Sequence, residues 1–95
     1  MKTTLCNREG TTSIFIAAEI LENGDLQLAG QDVGIAPRQT VGDSDYEYWL
    51  TVPAVEKDRL LLALLSAVYN DDPTAVTKLR ALLDEQGVPH KFHCF

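Results

Sequence analysis

The chain has 95 residues, 45% apolar and 23% charged, a balance that suits one folded globular domain over residues 1–95 and excludes a disordered tail. Its net charge of −6, with Lys57, Arg59, Lys78, Arg80 and Lys91 dispersed along the chain, argues against a nucleic-acid partner, because phosphate binding needs concentrated positive charge. Met1 to Glu9 lacks the apolar stretch of a secretory signal, and the longest unbroken apolar run, Leu60 to Leu65, is far short of the roughly 20 residues that cross a bilayer. The expectation is a cytoplasmic protein with no membrane span.

A weak strand covers Thr3 to Arg8. Residues 13 to 20 are β-branched and aromatic, with Ile14, Ile16, Ala18 and Ile20 on one face at period two. Leu26 and Leu28 follow a turn containing Asn23-Gly24, which reads at first as a two-residue hairpin loop. That loop would set Ile20 opposite Gln27 and turn both leucines away from the isoleucines. A three-residue loop, Glu22-Asn23-Gly24, with Gly24 in the left-handed position, aligns Ile20 with Leu26 and Ala18 with Leu28, and is preferred.

Residues 34 to 45 carry Gly34, Pro37, Gly42, Asp43, Ser44 and Asp45 and read as a long loop. Tyr46 to Val52 reads as a strand closed by Pro53. The period then changes. From Val55 to Tyr69 the leucines cover more than half of a helix circumference, and Asp72-Pro73 opens a second helix over 73 to 86 that Gly87 stops. Val88 to Phe95 alternates as a final strand. The elements sum to an α+β fold: a two-layer, largely antiparallel sheet of four to five strands with two antiparallel helices on one face, in the order β-β-β-β-α-α-β.

Chemistry-bearing residues are few. Asp43, Asp45 and Glu47 alternate as a calcium loop opens, but counting from Asp43 puts Tyr48 and Ala54 where a glycine and an acid are needed. His90, His93 and Cys94, with Cys6, are zinc-ligand types, yet on a strand His90 and Cys94 face opposite to His93 and no C-x-x-C pair exists. Cys6 beside His90 or His93 would make a nucleophile and base across neighbouring strands. Cys6 and Cys94 read as reduced thiols in the cytoplasm and as a disulfide only in an oxidising compartment. No cofactor or metal is expected.

The steric pattern says more. If Ile14, Ile16, Leu26, Leu28, Tyr48 and Leu50 face the helices, then Phe15, Ala17, Ala29 and Trp49 share the other side of the sheet, and aromatics on an open face mark a contact surface. The competing arrangements put Trp49 inward and Tyr48 outward, or cover the patch with the loop 34 to 45.

At Gly30-Gln31-Asp32-Val33-Gly34, Asp45-Tyr46-Glu47-Tyr48-Trp49 and Gly87-Val88-Pro89-His90-Lys91-Phe92 the chain resembles small bacterial proteins of uncharacterised function that pair an acidic-aromatic strand with a terminal glycine-proline-aromatic strand. The resemblance implies a bacterial origin and a freestanding domain, and carries over no catalytic or binding residue. The absence of catalytic chemistry and the acid-rich segment 43 to 47 lead to the expectation of a non-enzymatic protein–protein interaction module, either a homodimer through the sheet face bearing Phe15 and Trp49 or an acidic immunity- or adaptor-type protein presenting Asp43, Asp45 and Glu47 to a basic partner. The alternative is a small-molecule-binding protein or minor Cys-His hydrolase using Cys6, His90, Asp43 and Asp45.

Overall fold

A computed structural model describes residues 1–34 and 45–95. Among them four antiparallel strands form one open sheet in the order β1-β2-β3-β4: β1 (Lys2–Arg8), β2 (Thr12–Ile20), β3 (Leu26–Gly34) and β4 (Asp45–Val52). A short 3-10 turn, Ala54–Glu56, leads into helix α1 (Lys57–Tyr69), and helix α2 (Ala75–Glu85) follows. The fold is α+β. Two compact units divide at Leu60/Leu61, within α1.

In the first unit the hairpin takes the three-residue loop. Leu21 N donates to Asp25 O at 2.8 Å and Gly24 N to Leu21 O at 2.9 Å, and Gly24 sits at φ +91°, a conformation that costs a residue with a Cβ. Ile20 therefore faces Leu26 and Ala18 faces Leu28, as the apolar pattern requires. The register continues into β4, with Leu28 opposite Leu50 and Ala29 opposite Trp49. Strand β3 extends through Gly34 and β4 begins at Asp45, so both ends of the expected loop belong to the sheet. Asp43 lies outside the described residues.

Strand β1 contains a bulge, its register shifting between Thr4 and Cys6 so that Leu5 is extra. Before it Thr4 faces Ala17; after it Cys6 faces Ile16. The inserted residue moves Cys6 onto the isoleucine side of the sheet.

Asp25 ties the β2–β3 turn to the segment after β4. Its Oδ1 accepts a hydrogen bond from Ala54 N at 2.8 Å, satisfying an N–H that the 3-10 turn leaves without an internal partner, while Asn23 Nδ2 donates to Oδ2 at 3.2 Å. Asp25→Ala should cost the sheet unit about 1–2 kcal/mol, read as a lower urea midpoint by Trp49 fluorescence. An unchanged midpoint would mean that water replaces the carboxylate at no cost.

In the second unit α2 begins at Ala75 with Thr74 at its N-cap, two residues later than the expected Asp72-Pro73 opening, and Asp72 instead holds the turn before it: Oδ1 accepts from Thr74 N at 2.8 Å and from Thr74 Oγ1 at 2.6 Å, and Lys78 Nζ lies 2.7 Å from Oδ2. The Lys78 ammonium first, then the two Thr74 donors, hold the Asp72 carboxyl at about 2, below its ordinary 3.8. A carboxyl lowered on folding contributes stability above its unfolded value, lost as pH falls through the folded one. The α2 helical signal should therefore weaken between pH about 4 and pH about 2, and Asp72→Asn should flatten that part of the profile. Because both side chains reach solvent, the effect is modest and salt-sensitive.

Helix α2 ends where Gly87 N bonds Asp84 O at 3.2 Å and Val88 N bonds Leu83 O at 2.9 Å, the paired closure of a Schellman motif. Beyond it the expected final strand does not form, and residues 88–95 carry no regular structure. The cause is local. The Arg80 guanidinium lies 3.9 Å from the centroid of the Phe92 ring, and His90 Nε2 lies 3.2 Å from Asp84 Oδ1. The segment thus returns along its own helix, using residues one turn apart in place of a ladder.

Candidate docking face

The pleat sorts the sheet into two surfaces. One carries Ile14, Ile16, Ala18, Ile20, Leu26 and Leu28, continued on β4 by Tyr48 and Leu50. The Tyr48 ring lies over Gly30, directly opposite it, and its hydroxyl reaches Asp32 Oδ1 at 3.5 Å. Desolvation first, then the Asp32 charge, raises the Tyr48 phenol above its ordinary 10.

The other surface is the candidate site. One row across the strands runs Thr4, Ala17, Ala29, Trp49. Only Ala17 is a buried apolar side chain among the described residues, and the two alanine methyls make a low floor that ends at the indole. The row on one side holds Phe15, Gln31 and Glu47; the row on the other holds Glu19, Gln27 and Thr51. Together they enclose a shallow depression of about 290 Å³ lined chiefly by Phe15, Ala17, Glu19, Ala29, Glu47 and Trp49. Trp49 is 61% exposed and Phe15 41%, so aromatic carbon that a fold ordinarily covers stands open to solvent here.

The surface is also charged with one dominant sign. Asp45, Glu47 and Glu19 project from it, against Lys2 as the ammonium of the described strand residues on that side. Asp45 accepts from Gln31 Nε2 at 3.0 Å, which fixes the upper edge of the acidic group. An indole with carboxylates along its own strand suits a cation with an apolar stem, since the ring face and the acids attract the charge together.

Phe15 and Trp49 thus share one face, with Tyr48 on the reverse side, and Asp45 and Glu47, expected as a separate acidic contact, lie on that same face. Ala17 and Ala29 stand on the side expected of them, whereas Glu19 was not among the expected interface residues. Its signal was available, because the register that aligns Ile20 with Leu26 also sets Glu19 one row from Ala17.

The cysteine and histidine candidates have other surroundings. Cys6 is a free, half-buried thiol on the isoleucine side of the first unit. His90 belongs to the second unit, where Val88 O lies 2.8 Å from its Nδ1, and the His93 ring meets Phe95 edge-on with centroids 5.6 Å apart. Cys94 is a free thiol on an exposed segment, not in a strand. Among the described residues no three His, Cys, Asp or Glu side chains converge on one point that could hold a metal ion. No described helix is long and apolar enough to cross a membrane.

No family model, curated protein or solved structure matches the chain.

Proposed function

We propose that the chain is a non-enzymatic protein–protein interaction module, and that the tryptophan face of its sheet docks a cationic segment of a partner protein. The observation that supports the reading is the exposure of Trp49, at 61%, beside an alanine floor, with Glu47 two residues away on its own strand and Glu19 across the floor on β2. An apolar-stemmed cation, arginine or lysine, lies along the floor with its charge over the indole and near a carboxylate. Interface cores favour such aromatic anchors, and the acidic rim selects the sign of the partner.

The chain's one tryptophan makes the test direct. Titrating the full chain with a capped oligo-arginine peptide should change Trp49 emission, and a matched oligo-glutamate peptide should not. Trp49→Ala, followed by calorimetry, and Glu47→Gln should each weaken arginine-peptide binding by roughly three- to tenfold. Affinity should fall as salt rises. Binding indifferent to ionic strength, or unaffected by both substitutions, would falsify the assignment of this face.

A further inference from the structure

The outer strands of the sheet differ in a way that bears on assembly. Strand β1 is broken by its bulge at Leu5 and carries Lys2 and Arg8, devices that discourage a strand edge from pairing with another chain. Strand β4 has neither. It pairs with β3 residue for residue from Val52 back to Asp45, contains no lysine, arginine or proline, and meets no described strand on its outer edge. Tyr46, Trp49 and Leu50 are exposed along it. A regular, aromatic edge of this length is a template for one more strand.

We propose that β4 pairs antiparallel with β4 of a second copy about a two-fold axis, joining two sheets into one, with Trp49 opposite Trp49 at the axis. The register follows from charge. Side chains directly opposite each other in an antiparallel pair share a face, so a strand pairing with itself must centre on a residue. Centring on Glu47 sets carboxylate against carboxylate, and centring on Tyr48 sets each Glu47 against an indole. Centring on Trp49 places Glu47 opposite Thr51, Tyr48 opposite Leu50 and Tyr46 opposite Val52, and sends both Asp45 carboxylates beyond the ends of the pairing. Aromatic–aliphatic oppositions of this kind stabilise a sheet, and shifting further shortens the overlap.

This inference goes beyond the docking reading, because it uses the backbone edge of β4 and not the open face. It also has a consequence for that reading: the two tryptophan faces become one continuous surface across the axis. The salt responses are opposite. Two copies that each carry −6 repel, so self-association strengthens or holds as salt rises, whereas capture of a cationic peptide weakens.

Sedimentation equilibrium of the full chain over a concentration series, at low and high salt, tests the pairing. The expected result is a mass that doubles with concentration. Thr51→Glu should raise the midpoint concentration roughly tenfold, because it sets a carboxylate opposite Glu47 at two symmetric places, and Thr51→Lys should lower it. The register is read separately in a Cys6→Ser, Cys94→Ser background. Trp49→Cys should oxidise to a covalent dimer and Tyr48→Cys should not, with circular dichroism confirming that each variant is folded. A monomer at every concentration up to roughly millimolar, or a dimer insensitive to both Thr51 substitutions, overturns the pairing; cross-linking through Tyr48→Cys alone, or through neither variant, overturns the register. Neither result touches the arginine-peptide titration, whose failure would remove the docking face and leave the strand pairing standing.

Discussion

A Gly34→Ala chain is expected to lose about 3 kcal/mol from its sheet unit, enough to move the urea midpoint of Trp49 fluorescence by a large fraction of the whole. Two costs add at this position. Gly34 sits at φ +131°, which residues with a Cβ rarely adopt. A Cβ there would also run into the backbone carbonyl oxygen of Thr11, with Thr12 Cα 3.0 Å away. Backbone cannot swing aside as a side chain can, and Gly34 is paired with Thr12, so relief requires opening the end of the β2–β3 ladder. A loss below about 1 kcal/mol would show that this end of the hairpin yields more easily than its geometry implies.

Gly30→Val should cost about 2–3 kcal/mol by a different route. A Cβ at Gly30 falls inside the ring of Tyr48, the residue directly opposite, so the ring must leave the sheet surface. Leaving it gives up the packing of ring on backbone and the approach of the hydroxyl to Asp32 at 3.5 Å. Tyr48→Ala removes the obstacle. The double variant Gly30→Val/Tyr48→Ala should therefore be less destabilised than the sum of the single variants, by about 1 kcal/mol or more. Additive effects would mean that ring and glycine are not in contact. The phenol offers a second readout: once the ring is displaced in the Gly30→Val variant, its titration should return towards the ordinary 10 as burial and the Asp32 charge are lost.

In the sequence Gly34 read only as a loop residue and Gly30 only as part of a motif. Gly30-Gln31-Asp32-Val33-Gly34 could be read as a motif without showing that one glycine makes room for an aromatic ring and the other for a carbonyl. These are contacts between strands, and a linear pattern specifies the face of a residue more readily than the shape of what lies opposite. The same holds for the edge of β4. Its lack of lysine and proline is written in Asp45 to Val52, but that it stands outermost is a matter of strand order.

What the sequence determined by itself was whatever depends on period and on local turn chemistry. Strict alternation from Ile14 to Ile20 and through Leu26 and Leu28 admits one hairpin register, because a slip by one residue turns every apolar side chain over; that choice carries Phe15, Ala17 and Ala29 to one face, whereas the side taken by Trp49 was decided by the pairing of β3 with β4. Gly87 marked the end of α2, and Asp72-Pro73 the turn that leads into it, because such ends are satisfied within a few residues of chain.

Only tertiary structure decided the rest. Val88 to Phe95 alternates as a strand should, but alternation supplies no partner. Arg80 and Asp84, on one side of α2, hold Phe92 and His90 instead. The bulge at Leu5 likewise runs against the linear pattern: an unbroken register would set Leu5 opposite Ile16 on the isoleucine side, whereas the bulge gives that place to Cys6 and leaves Leu5 exposed.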